Sequence, residues 1–355
     1  ANTPKIATTY PRPNMPTIYI HSRDTKISVD QTQFTLRSQG KKNGRIPPTM
    51  MDELIVESEV EITRKALDRL GRMGIATSFL GNDGDITARL VAPWKHDARP
   101  RIEQARVFMD TEKRVQLART IVDAKIHNQI AVLRKYQKNH QVEGTGDTVK
   151  TLTQHRKALQ QAEEIDTLMG HEGASTKAYY AQLSRFLRCD WTTFEGRNKR
   201  PPKDPVNAAL SYAYTILTNR IHSFCESAGL DPYIAFLHGS EPRRPALALD
   251  LIEPFRPILA DRFVWKLFNQ NSLKREDFDY PNGECNGLRL SRDARKHFIH
   301  HFIDYHQKID YENPFDEDAV TSPGKYLLDT IEAFRNAALK GELQHFQPLP
   351  HATAL

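Results

Sequence analysis

The stretch from Leu237 to Pro257, LHGSEPRRPALALDLIEPFRP, places one imidazole, His238, ahead of two carboxylates, Asp250 and Glu253. Asp250 and Glu253 stand at i and i+3, so on a helix they share a face. Pro254 removes a backbone N–H and kinks the chain near the Asp250 carbonyl, which opens that face. A third carboxylate, Glu172, stands apart in GHEGASTKAYYAQLSRFL, flanked by Gly170 and Gly173, which leave the backbone around it uncrowded. Burying carboxylates beside a histidine without a cation is costly. If these groups converge, a bound divalent ion resolves the cost. Carboxylates with a single imidazole suit Mg2+ or Mn2+ better than a structural zinc. Such a site polarises a phosphodiester and stabilises the leaving oxygen. A plainer alternative stays open on spacing alone: Glu172 in a first helical turn favours the helix dipole, Asp250 and Glu253 lie on an exposed helix, and His238 is a loop histidine.

Basic residues gather around the same segments. Arg197, Lys199, Arg200 and Lys203 occupy a proline-stiffened loop, Arg243 and Arg244 lie between His238 and Asp250, and Arg256, Arg262, Arg289, Arg292 and Arg295 follow. Lys177, Arg185 and Arg188 remain free of the apolar face that begins at Ala174. Clustered counter-charge of this kind suits a phosphate backbone, because each neutralised phosphate releases counterions. Tyr179 and Tyr180 offer rings that stack a base or order a strand end, against a reading as core. His297, His300, His301 and His306 read as the polar face of a helix rather than as a second metal site.

These groups need a frame. Residues 1–16 hold four prolines and read as a disordered leader or linker. From residue 17 to 93 short alternating runs (17–20, 26–29, 33–37, 53–57, 75–80 and 85–91) predict strands, with a turn signal at Gly81-Asn82-Asp83-Gly84. One helix, 63–73, has Thr63 as N-cap and Gly74 beyond its end. A linker follows over 94–103. Residues 104–345 read as an all-helical catalytic domain, with 346–355 as a tail. Its expected helices include 110–137 capped by Asp110, 153–169 leading to Glu172, 205–228 capped by Asp204, and 245–270. The fold class expected is therefore α+β, a small β-sheet domain with one helix ahead of a large helical body. The chain has 355 residues, a formal charge of +6 and 39% hydrophobic residues. No run of about 18 apolar residues spans a membrane, and the N-terminus has no secretory h-region. Cys189, Cys225 and Cys285 form no C-x-x-C pair, which points to a reducing, cytoplasmic compartment. The first residue is Ala1, so the chain reads as a processed product or a piece of a longer polypeptide.

In order along the chain, HEGASTKAYY, GRNKRPPKDPVNAALSYAYTIL, GLDPYIAFLH and LALDLIEPFRPILADR resemble the CRISPR-associated integrase family that captures spacers, the Cas1 family. ELIVES, VEITRKALDRLGRMGIATSFLG and ARTIVDAKIHNQIAVLRKY resemble its β-domain and first long helix, and coverage runs over residues 17–345. The resemblance implies a metal-dependent endonuclease and integrase with Glu172, His238 and Glu253 as ligands and Asp250 as a neighbouring catalytic carboxylate. The clustered charge and the tyrosine ring make Tyr180, Arg185, Arg197, Lys199, Arg200, Lys203, Arg243, Arg244 and Arg292 the expected DNA-binding residues. The partners implied by the resemblance would be protospacer and repeat DNA, a second copy of the chain through the β-domain, and a small ferredoxin-fold protein bridging two dimers. A fused or associated reverse transcriptase is a further expectation. Pro254 departs from the family, which often has another carboxylate there. Two alternatives remain at this level: a structure-selective repair nuclease, and a non-catalytic DNA-holding subunit.

Overall fold

The computed structural model describes residues 17–348 apart from 22–23, 39–40, 58, 82–85, 92–96, 199–200, 240–243, 281–286, 308–310 and 313–319. The expected leader, the turn at 82–84, Lys199, Arg200, Arg243, Cys285 and most of the expected tail fall outside the described residues.

The N-terminal part is strand-rich, as the alternation predicts. Strands β1 (Thr17–Ile20), β5 (Glu53–Glu57), β7 (Ala76–Leu80) and β8 (Ile86–Leu90) form one sheet in the order β1-β5-β7-β8. The first three are parallel and β8 is antiparallel to β7. A second sheet has the order β4-β3-β2-β6, from β2 (Thr25–Asp30), β3 (Gln33–Ser38), β4 (Lys41–Ile46) and β6 (Glu61–Ile62). Helix α1 (Arg64–Met73) starts where Thr63 Oγ1 accepts from the Ala66 N–H at 3.3 Å, and stops at Gly74, whose φ of 63° is left-handed. The near-continuous apolar run of β5 has a physical reason. Leu54 and Val56 face a core shared with Ile27, Phe34, Ala66 and Leu70, while Ile55 faces the helical body with Leu80, Ile299 and Ile303. The strand is covered on both sides.

The rest of the chain is mostly helical. The expected linker is shorter than the composition indicates: α2 (Arg99–Met109) begins within it, with Pro100 in its first turn. Asp110 ends α2 and caps α3 (Thr111–Asn139), its Oδ1 accepting from the Lys113 N–H at 3.1 Å. The next two helices shift from their expected places. Helix α4 is Thr145–Leu159 and α5 is Ile165–Leu183, so Glu172 lies in mid-helix and the first-turn dipole argument does not apply to it. Helix α6 (Pro205–Ser227) is capped by Asp204, which accepts from the Asn207 N–H at 2.8 Å. Residues 246–269 change winding three times: α7 (Ala246–Ile252), a 3-10 turn (Glu253–Phe255), a π segment (Arg256–Asp261) and α8 (Arg262–Asn269). Pro254 and Pro257 stand at these changes. Short strands β9 (Phe278–Asp279) and β10 (Arg289–Leu290) precede α9 (Arg292–Gln307). Then β11 (Tyr311–Glu312) and β12 (Val320–Thr321) lead to α10 (Pro323–Lys340). Leu117, Ile121, Leu217, Phe236, Ile252, Trp265 and Phe334 belong to one core.

The β part and the helical body are joined by a buried ion cluster. Arg220 of α6 donates from Nε to both Glu53 carboxylate oxygens, at 3.2 and 3.0 Å, and its Nη2 lies 2.9 Å from Oε2. Thr17 donates to the same carboxylate at 2.8 Å. Arg220 Nη1 donates to His306 Nδ1 at 2.8 Å, and His306 Nε2 donates to the Leu259 carbonyl at 3.2 Å. His306 therefore departs from the expected polar face. It is 1% exposed, and burial followed by the Arg220 charge holds its pKa well below the usual imidazole value.

Candidate active site

Three of the four expected acidic and imidazole groups meet between α3, α5 and the α7 turn. Glu172 comes from α5 and Glu253 from the 3-10 turn; His238 comes from the loop before α7. His238 Nε2 lies 4.0 Å from Glu253 Oε1. Asp250 differs from the expectation of a catalytic carboxylate. It is fully buried, and its oxygens accept from the backbone N–H groups of Phe236, Leu237 and His238 at 2.6, 2.9 and 2.9 Å. It also accepts from His238 Nδ1 at 2.8 Å. A carboxylate with four donors positions the loop and the ring. Because an ionised carboxylate only accepts, Nδ1 carries a proton, which leaves Nε2 directed toward Glu253.

A residue absent from the sequence reading lies at the centre. Lys125 of α3 is 3% exposed, and its Nζ contacts Glu172 Oε1 and stands 2.6 Å from Glu253 Oε2. Thr176 donates to Glu172 Oε1 at 3.1 Å, and Gln129 donates to Thr176 at 3.0 Å. Arg256 Nη2 lies 3.2 Å from Glu253 Oε1. Burial on its own raises the Glu253 pKa, but the charges of Arg256, Lys125 and His238 outweigh it and hold the carboxyl near about 2. For Lys125, burial lowers the pKa while Glu253 and Glu172 more than reverse it, so the ammonium persists. The turn that carries Glu253 is pinned by Asn128, which donates to the Pro254 carbonyl at 2.6 Å.

A cleft of about 400 Å³ opens beside this cluster, lined by Glu172, Thr176, Lys177, Arg197, Arg256 and others. Its floor includes Asp261, which accepts from the Tyr214 hydroxyl and, at 3.3 Å, from Tyr180. Burial raises the Asp261 carboxyl to about 6. Arg197 and Arg256 each lie over the Tyr214 ring, at 5.3 and 4.8 Å. Arg197 is further held by Asn207 Oδ1 at 2.8 Å and Ser211 Oγ at 3.0 Å.

The other expected DNA contacts separate. Tyr180 is buried and packs on Tyr179 and Phe194, so although it lines the cleft its ring is not open to stack a base. Arg185 is exposed but donates to the Glu143 carbonyl at 2.6 Å. Lys203 is exposed and Arg244 half-buried. Arg292 borders a different groove, with Glu57, Arg295 and Lys296.

The donor chemistry fits a divalent cation. Two carboxylates already meet on one cation, Lys125 Nζ, in contact with Glu172 Oε1 and 2.6 Å from Glu253 Oε2, and the His238 imidazole stands 4.0 Å from Glu253. Among the described residues no group of three or more His, Cys, Asp or Glu side chains is gathered closely enough to hold a metal ion as it stands; Lys125 pairs with both Glu172 and Glu253.

Comparison with known proteins agrees with this fold. Residues 18–304 match the family described as CRISPR associated protein Cas1. A CRISPR-associated endonuclease Cas1 of Chlorobaculum tepidum is 33% identical over 296 residues, 81% of this chain and 82% of that one. The chain belongs to the Cas1 family. Among solved structures, a Cas1 protein from Thermotoga maritima superimposes with a TM-score of 0.72 at 23% identity, over 91% of this chain and 97% of that one. A chain of a partial Cas6-RT-Cas1–Cas2 complex gives 0.72 at 23%, over 96% and 100%. A casposase bound to integration product gives 0.71 at 20%, over 92% and 91%. These structures share the order of a β-sheet region ahead of a mostly helical domain.

Proposed function

We propose that the chain is a divalent-metal-dependent DNA integrase and endonuclease, joining the 3′-hydroxyl ends of a short duplex to a CRISPR repeat by transesterification. The observation that carries this reading is the convergence of Glu172, Glu253 and His238 Nε2 beside a cleft lined by Arg197, Arg256 and Lys177. Mg2+ or Mn2+ held by Glu172, His238 and Glu253 would supply Lewis-acid activation of the phosphorus and offset charge on the displaced oxygen. The chain's own residues do the rest. Asp250 fixes the His238 ring and its tautomer. Arg197 and Arg256 present cationic forks to phosphate oxygens. The attacking 3′-oxygen forms a bond to the repeat phosphorus as the repeat's own 3′-oxygen leaves; the first loses a proton and the second gains one. With water as nucleophile the same site hydrolyses DNA.

The solved Cas6-RT-Cas1–Cas2 assembly supports a Cas2-type partner and an associated reverse transcriptase, and the product-bound casposase supports strand joining. A homodimer through the β part completes the reading. Among the described residues no helix is long and apolar enough to cross a membrane.

The test mixes labelled duplex bearing free 3′-hydroxyls with a repeat-bearing plasmid, Mg2+ or Mn2+, the small bridging partner, and either wild type or Glu172→Ala. Labelled plasmid is expected with wild type only. The variant should lose joining by about 10²–10³-fold or more while binding duplex and melting as wild type does. Nicking without joining would replace this reading with a nuclease; duplex binding with no reaction in any lane would replace it with a holding subunit.

A further inference from the structure

Charge in the acidic cluster is already balanced by the protein itself. Glu172 and Glu253 contribute two negative charges, and the Lys125 ammonium and Arg256 guanidinium, both against Glu253, contribute two positive ones. Asp250 adds a third negative charge behind the His238 ring, held by three backbone N–H groups and His238 Nδ1–H. A divalent ion entering this place alone would still leave a net positive charge in the cluster, beside Arg197 and Lys177. Excess charge of one sign there is unfavourable. A phosphodiester arriving with the ion removes that excess.

Lys125 is suited to an exchange. Its Nζ reaches both carboxylates that the ion would need, and the same side chain lines the cleft where phosphate would lie. A lysine ammonium is a point charge on a four-carbon stem, and it can turn from carboxylate to phosphate without moving its helix; an arginine fork bound bidentately could not do so as readily.

We infer that Lys125 is a tethered cation that occupies the carboxylate pair until DNA arrives. Metal and phosphodiester then bind together, with Lys125 transferring from Glu172 and Glu253 to the phosphate. This rests on the metal-dependent reading proposed above. It makes Lys125 a positioning residue whose effect appears in metal binding before any turnover.

The experiment measures Mn2+ binding by the loss of the free-ion electron paramagnetic resonance signal, with and without a short duplex ending in 3′-dideoxy nucleotides, so that no joining occurs. Proteins are wild type, Lys125→Met, Lys125→Arg and Glu172→Ala, the last giving the baseline for Mn2+ held by DNA alone. Wild type should bind Mn2+ weakly by itself and at least tenfold more tightly with duplex. By linkage, Mn2+ should tighten duplex binding by the same factor. Lys125→Met should bind Mn2+ at least tenfold more tightly than wild type without DNA, with a larger Mn2+-induced rise in melting temperature. Lys125→Arg should remain weak. Equal Mn2+ affinity of wild type and Lys125→Met without DNA would overturn the inference. So would a duplex effect on wild type no larger than on Glu172→Ala, a comparison that decides the matter even where Lys125→Met does not fold. Mn2+ binding by wild type that never exceeds the Glu172→Ala baseline, with or without duplex, would instead remove the metal-dependent reading beneath it.

Discussion

Arg220 and Lys125 are both buried cations, each 4% exposed in its side chain, and each faces glutamate. Their surroundings differ. Around Arg220 the cluster is closed: Glu53 is 2% exposed, and Thr17, His306 and the Leu259 carbonyl complete the donors and acceptors. Around Lys125 it is open on one side. Glu253 is buried at 3%, but Glu172 is 25% exposed and lines a cleft. A rigid fork holds the first cluster and a pliable ammonium the second. The closed arrangement joins two parts of the fold; the open one leaves coordination capacity for something that comes from outside.

Breaking the closed cluster should have the largest effect. Arg220→Met leaves Glu53 buried and unpaired, and stability should fall by about 3–5 kcal/mol, read by urea or thermal unfolding. Lys125→Met should be milder in that assay, because Glu172 reaches solvent. Equal losses would erase the distinction drawn here.

A second effect concerns pH. The Asp261 carboxyl is raised by burial to about 6 in the fold, against about 3.9 in an unfolded chain. The folded state then holds the extra proton between those values, so this group's contribution is full below about pH 4 and is lost as pH rises through about 6. The total is about 3 kcal/mol. Asp261→Asn should lack this slope, so the variant should gain on wild type between pH 4 and 7. His306 works in the opposite direction: held neutral, it weakens the fold as pH falls below about 6.5, where the unfolded chain takes up a proton. Unfolding curves at pH 5 and 7 for wild type and Asp261→Asn separate the two; an unchanged difference would refute the cleft assignment.

The smallest predicted change sharpens the open cluster. Asp250→Asn keeps the shape but weakens the hold on His238, and metal affinity or joining rate should drop by about 10–100-fold with little change in duplex binding.

Much of this was readable in the sequence, for reasons visible in particular residues. The apolar runs of β1, β3 and β5 and the Thr63 and Asp204 caps are local signals, and local chemistry made them. Strand β4, KKNGRI, has no apolar alternation; its extension comes from pairing with β3. Gly170 and Gly173 flank what the sequence reads as the opening turn of a helix at Glu172, yet α5 runs through both, and a side chain at either would meet nothing within 4 Å. Helix packing against α3 and α4 overrides their weak propensity. Glu172, His238 and Glu253 were recognisable by type and motif. Lys125 was not, because a lysine in a helix ordinarily marks a solvent face. The signal lay in its neighbours: Ile121, Val122, Ala124, Ile126, Asn128 and Gln129 are all buried, and at that level only Asp123 and His127 are partly exposed, on a side of α3 that Lys125 does not share.

The ion pair between Glu53 and Arg220 also has a mechanical consequence. The two residues are 167 positions apart in the chain, and they lie at the seam between β5 and α6. Swinging the sheet away from the helices would strip both charges of their partners at once, so the seam is a poor hinge. Any reshaping of the cleft has a less expensive route in the α, 3-10 and π windings of residues 246–261, where small rotations shift Glu253 and Arg256 while the frame stays still.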